Sequence, residues 1–276
     1  MAKAPRSKKT ATKSPAEDDD FILHSLQEAL EKNKHFAASK EQMLHFYEQM
    51  LLIRRFEERA GQLYGLGLIG GAQVALGGGL AFANRYRRNN RVCLTYFGDG
   101  AANQGQVYET FNMASLWKLP IIFVVENNQY AMGTAVGRSS AETEFYRRGA
   151  AFRIPGMEVN GMDVLEVRQA AEIAFQHVRE GKGPVLMECN TYRYRGHSMS
   201  DPAKYRTREE VQDVREHKDP IEGIKKLLLE NGSTEDELKA IDKDIRKTVT
   251  QAADFAESSP EPEAGELYTD VLVGEY

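Results

Sequence analysis

The sequence predicts an α/β fold in which an open, mostly parallel sheet carries helices on both of its faces. Three observations predict this fold. Short apolar runs at 92–97, 121–125 and 184–189 are rich in the β-branched and aromatic residues that favour buried strands. Segments with apolar residues at three- and four-residue steps, typical of helices, alternate with these runs. The connection between the first two runs is long enough for a βαβ crossover.

The first 20 residues are expected to form a disordered tail. They are polar, basic at first and acidic at 17–20, and they contain too few apolar residues to form a core. They lack the apolar segment of a secretory signal, and their acidic end is unlike a transit peptide. We therefore predict one α/β domain over 21–276, with a helical C-terminal part.

Helices are expected on the N-terminal side of the first strand. A short helix is predicted over 21–36, and a capping box formed by Ser39 and Gln42 begins a longer one. The glycines within 65–67 are expected to end this longer helix. A further helix is predicted over 72–86, where it would pack on the strand that follows.

The composition excludes several classes of function. The chain of 276 residues has a net charge of −5 and a pI near 5.8, which argues against broad nucleic-acid binding. No apolar run is as long as a membrane span. Cys93 and Cys189 lie in strand-like runs without the spacing of metal ligands, so they are expected to be small core residues.

The turn Gly98-Asp99-Gly100 follows the first predicted strand and precedes a helical segment. A glycine turn at the N-terminus of a helix suits a phosphate group, but the carboxylate of Asp99 would repel one unless a cation lay between them. Asn128 follows the next strand. Because parallel strands end at the same edge of a sheet, Asp99 and Asn128 are expected to converge on one hard cation. Mg²⁺, which takes oxygen ligands, fits this pair.

Other phosphate-binding motifs fit this stretch less well. A dinucleotide fingerprint would need glycine at position 103, where the chain has Asn103, and the Walker pattern is absent. The tripeptide alone is most often an ordinary turn. The combination of Gly-Asp-Gly with Asn127-Asn128 is more specific, because strand-like runs precede both halves.

This combination resembles the thiamine-diphosphate signature. The resemblance implies that Asp99, Asn128 and the backbone carbonyl of Tyr130 hold the magnesium ion. The predicted cofactor-binding residues lie in or next to the two halves of the signature, and they are Gly98, Asp99, Gly100, Ala101, Asn128 and Tyr130. Of these, the backbone of Gly100 and Ala101 is expected to contact the diphosphate.

The C-terminal half contains a second stretch of interest. Asp163 is expected to cap a helix that runs to about residue 180, and Thr234 with Glu237 forms the capping box of the last long helix. Between them, the loop at 191–206 reads TYRYRGHSMSDPAKYR and is rich in basic and aromatic residues. Its histidine, His197, would by itself most often be a solvated side chain.

The wider match identifies a family. The segments GDGAANQGQVYETFNMASLWKLP and TYRYRGHSMSDPAKYR resemble the E1 α subunits of pyruvate dehydrogenase complexes, which belong to the thiamine-diphosphate-dependent 2-oxo acid dehydrogenases. The resemblance extends from about Phe21 to Val273. It implies oxidative decarboxylation of pyruvate and transfer of the acetyl group to the lipoyl arm of an E2 component, so that the whole complex forms acetyl-CoA.

The resemblance also implies cofactors, partners and a compartment. Thiamine diphosphate and Mg²⁺ would bind between this chain and an E1 β subunit, within an α₂β₂ heterotetramer that binds neither nucleic acid nor membrane. The β subunit would supply the glutamate that activates the cofactor, so this chain alone would be inactive. His197 would face the bound intermediate as a proton donor or electrostatic stabiliser. A bacterial protein would be cytoplasmic, and the mitochondrial matrix is the alternative.

One segment of the family pattern is missing. LYGLGLIGG at 63–71 runs directly into AQVALGGGLAFANRYR at 72–87, whereas several dozen residues lie between these segments in the family. The missing part normally carries a helix, a strand, a Tyr-Arg pair and a histidine that face the cofactor, and a glycine-rich loop. The junction at Gly71/Ala72 therefore affects the cofactor pocket itself.

Three other functions stay open at this point. The substrate can instead be a branched-chain 2-oxo acid or acetoin. The shortened chain can be a non-catalytic subunit that binds β without turnover. It can also be a phosphate-binding module that takes Mg²⁺ with another nucleotide.

Overall fold

The structure of the protein, a computed structural model, describes residues 21–63, 72–198 and 201–269, with the side chains of 60–63 and 72 omitted. The predicted tail over 1–20, the predicted helix end at 65–67 and the junction at Gly71 lie outside the described residues. The chain divides into two compact units, one of Met1–Ala37 with Leu68–Pro220 and one of Ala38–Gly67 with Ile221–Tyr276. The predicted single α/β domain over 21–276 stays a prediction.

Helices and strands alternate through the first unit, and helices make up the second. The helices are α1 (Ser25–Lys32), α2 (Lys40–Leu63), α3 (Ala72–Arg87), α4 (Gly105–Leu116), α5 (Val136–Ser139), α6 (Val164–Arg179), α7 (Arg208–His217), α8 (Pro220–Glu230) and α9 (Glu235–Ser258). The strands are β1 (Cys93–Gly98), β2 (Ile121–Asn127), β3 (Tyr130–Ala131), β4 (Thr134–Ala135), β5 (Gly156–Asn160) and β6 (Val185–Asn190). Short 3₁₀ helices occupy Ala101–Asn103, Phe145–Phe152 and Ala264–Tyr268.

The main sheet of the first unit is parallel and has the strand order β1-β2-β6-β5. Helix α4 connects β1 to β2, and α6 connects β5 to β6. In the register of the sheet, Phe97 lies opposite Val125, and Val125 lies opposite Glu188. The predicted α/β fold with an open parallel sheet is therefore confirmed.

The side chains of β2 alternate between two cores, one on each face of the sheet. Ile121, Phe123 and Val125 pack in a cluster that includes residues of α3 and α4. Ile122 and Val124 pack in a second cluster that includes residues of α1 and α6. Because both faces of β2 are covered, its sequence is a continuous apolar run instead of an alternating one.

Helix α3 lies very close to β1. A Cβ atom at Gly77 would lie 2.7 Å from Cβ of Thr95, which leaves no room for any other residue at this position. The hydroxyl of Thr95 donates a 3.0 Å hydrogen bond to the carbonyl of Gln73 across the same contact. The glycine run that weakens this helix intrinsically is therefore explained at Gly77 by backbone approach.

In the second unit, α2 packs against α9. Both predicted capping boxes form: Gln42 N donates to Ser39 Oγ at 3.2 Å, and the Thr234 hydroxyl accepts from Glu237 N at the same distance. On α9, Leu238, Ile245 and Val249 are buried. Phe255 of the same helix is 74% exposed.

Several elements differ from the sequence-based expectation. The helix predicted over 21–36 is limited to α1, and the segment 131–152, for which no helix is predicted, contains α5 and a 3₁₀ helix. Strand β5 was not predicted, because GMEVN is short and carries a charged residue. The turn at 98–100 predicts that a helix follows it directly, whereas α4 begins only at Gly105. Within the described ranges, no helix has the length and apolarity of a membrane span.

Candidate active site

The candidate site lies where three neighbouring strands of the sheet end. β1 ends at Gly98, β2 ends at Asn127 and β6 ends at Asn190. Because all three strands are parallel, the segments that follow them meet at one edge of the sheet, which is where open α/β folds bind ligands. Asp99 follows the first of these strands, and Asn128 follows the second.

The carboxylate of Asp99 is almost completely buried, with 3% of the residue exposed. Burial raises its pKa, because removal from water disfavours the charged form. Backbone hydrogen bonds from its own residue and from Asn128, together with the charges of Arg193 and Arg206, oppose this rise. The predicted pair Asp99 and Asn128 is thus in contact, and the buried carboxylate would gain from a nearby cation.

The turn that follows β2 is shaped by its two asparagines. Oδ1 of Asn127 accepts a 3.0 Å hydrogen bond from Gln129 N, and Oδ1 of Asn128 accepts one of 3.3 Å from Tyr130 N. Gln129 has a φ of +70°, a left-handed conformation that few residues other than glycine adopt. Each of these bonds joins an asparagine side chain to the backbone N–H two residues later, which is the pattern of an Asx turn.

Asn127 is held in turn by a buried carboxylate. Its Nδ2 donates a 2.6 Å hydrogen bond to Oε1 of Glu188 on β6, and Glu188 is only 2% exposed. Oε2 of Glu188 accepts a 2.9 Å bond from Tyr146 N. Burial raises the pKa of Glu188, while these donors lower it. Glu188 therefore connects the turn after β2 to the 3₁₀ helix at Phe145–Phe152.

The carboxamide of Asn128 fits two opposite orientations, because its two ends have the same shape. In one orientation, Oδ1 lies 2.9 Å from the carbonyl oxygen of Tyr130, and Nδ2 lies 3.1 Å from Nη2 of Arg193. In the other, Nδ2 donates to the Tyr130 carbonyl and Oδ1 accepts from Arg193 over the same distances, so the bond from Tyr130 N to Oδ1 is present only in the first orientation. The first orientation sets two acceptors against each other and therefore suits a bound cation. The second is hydrogen-bonded at both ends and suits the metal-free site.

The loop at 191–206 packs directly on this turn through its last residues. The side chain of Arg206 is 4% exposed, and Nη2 donates a 2.7 Å hydrogen bond to the backbone carbonyl of Asn128. Its Nη1 donates to the carbonyl of Arg193. The guanidinium lies 4.2 Å from the ring centre of Tyr192 and 5.0 Å from that of Tyr130. Arg206 therefore joins the loop to the turn by hydrogen bonds and cation–π contacts.

His197 lies in the exposed part of the same loop. Its backbone N–H donates a 2.7 Å hydrogen bond to Oδ2 of Asp201, which also accepts from the hydroxyl of Tyr205 at 2.8 Å. Tyr205 stacks on Tyr130 with 4.6 Å between the ring centres. His197 is thus linked to the turn through Asp201 and Tyr205. Residues 199–200, which follow it closely, are outside the described part of the chain.

The glycines predicted to bind the cofactor, Gly98 and Gly100, lie beside the same turn. Gly98 ends β1, and Gly100 is the cap of the 3₁₀ helix Ala101–Asn103. A Cβ atom at Gly100 would lie 2.6 Å from Cβ of Ala131, so the backbone after β1 approaches β3 closely. Since α4 begins only at Gly105, the N–H groups near Gly100 belong to the start of the 3₁₀ helix.

The ligand types at this edge fit a hard cation. Among the described residues, no group of three or more His, Cys, Asp or Glu side chains could hold a metal. The site instead offers one carboxylate, of Asp99, with neutral oxygens from Asn128 and Tyr130. Adjacent ligands of an octahedral Mg²⁺ lie about 2.9 Å apart. One end of the Asn128 carboxamide lies 2.9 Å from the Tyr130 carbonyl oxygen, so the two residues are close enough to share one ion when that end is Oδ1.

Four residues of the site were not singled out from the sequence: Asn127, Glu188, Arg193 and Arg206. Asn127 belongs to the Asn-Asn motif, but the motif indicates no role for it. The sequence predicts Glu188 only as part of a strand. The signal for Glu188 is a charged residue within a run of apolar ones, VLMEC, which calls for buried partners. The two arginines were visible only as part of a basic loop.

Comparison with known proteins gives a consistent match. A sequence profile of the family described as dehydrogenase E1 component matches residues 8–265. The pyruvate dehydrogenase E1 component subunit alpha of Rhizobium meliloti is 49% identical over 317 positions, which cover 85% of this chain and 91% of that protein. The protein of the same name from Zymomonas mobilis is 45% identical over 323 positions, which cover 87% and 91%.

The lengths of these alignments indicate a missing internal segment. The 85% of this 276-residue chain that aligns with the Rhizobium protein is about 235 residues, so about 80 of the 317 positions have no counterpart here. The testis-specific mitochondrial pyruvate dehydrogenase E1 alpha subunit of Rattus norvegicus is 54% identical over 210 positions, covering 75% of this chain and 53% of that protein. The 75% of this chain that aligns amounts to about 207 residues, which is close to the number of residues that follow Gly71.

Proposed function

This chain belongs to the dehydrogenase E1 component family, and we propose that it acts as the α subunit of a pyruvate dehydrogenase E1. The reaction is the oxidative decarboxylation of pyruvate, with transfer of the acetyl group to the lipoyl arm of an E2 component. The observation that supports this function most strongly is the 49% identity to a pyruvate dehydrogenase E1 alpha subunit over 91% of its length. The alternatives with branched-chain 2-oxo acids or acetoin are not favoured by these relatives.

The cofactors we propose are thiamine diphosphate and Mg²⁺. Asp99, Asn128 and the Tyr130 carbonyl would hold the ion, because they offer the hard oxygen ligands that it prefers. The backbone of Gly100 and Ala101 would contact the diphosphate, and Gly98 would belong to the same cofactor site. When bound, the cofactor supplies a nucleophilic carbon and an electron sink for decarboxylation.

The residues of this chain bind, orient and transfer protons around that cofactor. The Asp99 carboxylate, which burial disfavours as an anion, would be stabilised by the ion that it ligates. Arg206 and Glu188 would keep the Asn128 turn in the geometry that binds the ion. His197 would donate a proton to the substrate or stabilise its developing charge.

The proposed partners follow from the same family. An E1 β subunit would complete the site by supplying the glutamate that activates the cofactor, within an α₂β₂ heterotetramer. The E2 acyltransferase would receive the acetyl group. We place the protein in the bacterial cytoplasm, with the mitochondrial matrix as the alternative, and expect no nucleic-acid or membrane partner.

The missing segment favours one second candidate. The relatives have about 80 positions that this chain lacks, and in the family this part carries the Tyr-Arg pair and a histidine that face the cofactor. A chain without them would have fewer positive charges and hydrogen-bond donors at the diphosphate. The second candidate is therefore a non-catalytic subunit that binds β without turnover.

The test is to co-express the full chain with its β subunit and to assay the assembled protein. Pyruvate, a branched-chain 2-oxo acid and acetoin would be compared in the presence of thiamine diphosphate and Mg²⁺, with reduction of an artificial electron acceptor as the readout. Turnover with pyruvate at least tenfold above the others supports the proposed function. Assembly without turnover of any substrate supports the non-catalytic subunit, and preference for another substrate overturns the pyruvate assignment.

A further inference from the structure

We propose that Arg193 is an anion ligand that the Asn128 carboxamide holds until a cation binds. The anion class is a diphosphate or phosphate group with two oxygens that can face one guanidinium. This role rests on the proposed function, because the cation and the diphosphate are those of the proposed site. The thiamine-diphosphate signature assigns no role to Arg193.

Arg193 lies at the sheet edge where Asp99 and Asn128 meet. It follows β6 by three residues, and its charge acts on the Asp99 carboxylate. A side-chain hydrogen bond joins it to Tyr205. Its Nη2 is 3.1 Å from the Asn128 carboxamide, whereas its Nη1 is buried and has no hydrogen-bond partner in the described part of the chain.

A buried guanidinium donor without a partner is rare, since it loses water without replacing it. The neighbouring Arg206 shows the contrast. Nη1 and Nη2 of Arg206 both donate to backbone carbonyls, those of Arg193 and Asn128. Both terminal nitrogens of Arg206 are thus occupied, although its Nε, like Nη1 of Arg193, has no hydrogen-bond partner in the described part of the chain. Arg193, although its own carbonyl is fixed by Arg206, retains a donor with no acceptor among the described residues.

The two orientations of Asn128 decide what Arg193 does. When Asn128 Oδ1 accepts from Arg193 Nη2, the amide nitrogen donates to the Tyr130 carbonyl, and neither oxygen is directed to a cation. When Oδ1 is directed to a cation with the Tyr130 carbonyl, the amide nitrogen faces Arg193 Nη2 at 3.1 Å. Two donors then face each other, so Arg193 loses its acceptor as the cation binds.

The consequence is coupling between the two ligands. Cation binding leaves both Nη1 and Nη2 of Arg193 without an acceptor, and this pair matches two oxygens of a phosphate group. An anion that takes both donors would in turn favour the Asn128 orientation that holds the cation. By thermodynamic linkage, each ligand must strengthen the other by the same factor.

The simpler role for Arg193 is structural, as a brace between the loop, Tyr205 and Asn128. A brace would affect stability in the absence of any ligand and would not make diphosphate binding depend on Mg²⁺. The two roles therefore differ in ligand binding, which is measured without turnover.

The experiment titrates inorganic diphosphate into the full chain, assembled with its β subunit, by calorimetry with and without saturating Mg²⁺. Wild type should bind diphosphate more tightly with Mg²⁺. Arg193→Gln should weaken binding by about tenfold or more with Mg²⁺ and by much less without it, since Asn128 already occupies Nη2 in the metal-free site. Arg195→Gln, which removes the same charge from an exposed position in the same loop, should match wild type.

A second variant makes the test independent of the folding of the first. Asn128→Ala removes the acceptor that holds Arg193, so metal-free diphosphate binding should become severalfold tighter than in wild type while the response to Mg²⁺ is lost. If Arg193→Gln and Arg195→Gln bind diphosphate with equal affinity in the presence of Mg²⁺, the proposed role of Arg193 is overturned, but the proposed cofactor site is not. Absence of diphosphate binding in wild type with Mg²⁺ would overturn the proposed cofactor site as well.

Discussion

Nδ2 of Asn127 donates a 2.6 Å hydrogen bond to the carboxylate of Glu188 within the parallel sheet. Asn127 directly precedes Asn128, and its Oδ1 also accepts from Gln129 N. The proposed metal ligand thus depends on a carboxylate two strand positions before the end of β6. A ligand turn supported in this way needs little reorganisation when the ion binds.

Replacing Glu188 should therefore affect both stability and metal binding. Glu188→Ala leaves the Asn127 amide and Tyr146 N without their acceptor inside the sheet, so it should lower the free energy of unfolding by about 2–4 kcal/mol. Urea unfolding measures the change. Glu158→Ala is the matched control, because Glu158 lies opposite Glu188 in the sheet register but is exposed. Equal costs for the two variants would contradict the supporting role.

Asp99→Asn should remove the Mg²⁺ dependence of thiamine diphosphate binding. The substitution keeps the shape of the side chain and removes the only carboxylate of the proposed ligand set. We expect a loss of at least about tenfold in affinity with Mg²⁺, measured by calorimetry on the assembly with β. Asp236→Asn, at a side chain that is 96% exposed, should behave as wild type. Unchanged affinity in Asp99→Asn would refute the metal site.

Gly100→Ala should disrupt the contact between the turn after β1 and β3. The added Cβ would lie 2.6 Å from Cβ of Ala131, so one backbone segment must move. We expect a loss of about 1–3 kcal/mol in the free energy of unfolding and weaker diphosphate binding. Gly105→Ala has no atom within 4 Å of the new Cβ and lies in α4, so it should be neutral or slightly stabilising. Chemical denaturation compares the two.

His197→Ala should separate catalysis from binding. His197 is exposed and is held through its backbone, so its removal should leave thiamine diphosphate affinity within about twofold of wild type. Turnover of pyruvate by the assembled protein should fall by about 10²–10⁴, the usual contribution of a general acid or base. Lys204→Ala, an exposed residue of the same loop, is the control. Full activity in His197→Ala would exclude the proposed role.

His177 should make the protein less stable in mild acid. Burial lowers the pKa of its imidazole on α6 to about 4, from an ordinary value of 6.5. Between these values the unfolded chain binds more protons than the folded one, so stability is complete above pH 6.5 and falls as the pH drops towards 4. After allowance for solvent screening, the loss should be about 1–2 kcal/mol.

Urea unfolding at pH 4.5, 5.5 and 7 tests this dependence. His177→Gln should reduce the loss of stability between pH 7 and pH 4.5. His217→Gln, which removes a histidine that is 67% exposed, should keep the wild-type dependence. If both variants keep it, the acid sensitivity has another origin.

The sequence allowed much of the fold to be predicted, while its assignment of site residues stays a prediction. The strands at 92–97 and 121–125 and the caps at Ser39, Asp163 and Thr234 are local patterns, and local patterns are readable from one sequence. The convergence of Asp99 and Asn128 followed from the parallel order of the strands. Family resemblance supplied the reaction and the cofactor, which no spacing of residues could have given.

The contacts between residues far apart in the chain could not be predicted from the sequence. That Glu188 would bond Asn127, or that Arg206 would lie against Tyr130 and Tyr192, depends on which strands are neighbours and on where the loop returns. The loop at 191–206 contains several arginines, and only the structure distinguishes Arg206, whose two terminal nitrogens are both bonded, from Arg193, whose Nη1 has no partner among the described residues.

Strand β1 lies at an edge of the sheet, and this position affects how readily the strand beside Asp99 opens locally. Within the described residues, β1 pairs only with β2, whereas β2 and β6 each have two neighbours. Asp99 therefore follows one of the two edge strands, whose amide hydrogens should exchange with solvent faster than those of β2 and β6, because local opening costs least at a sheet edge. A cation that joins Asp99 to Asn128 would tie this strand to its neighbour, and exchange along Cys93–Gly98 should slow when the site fills.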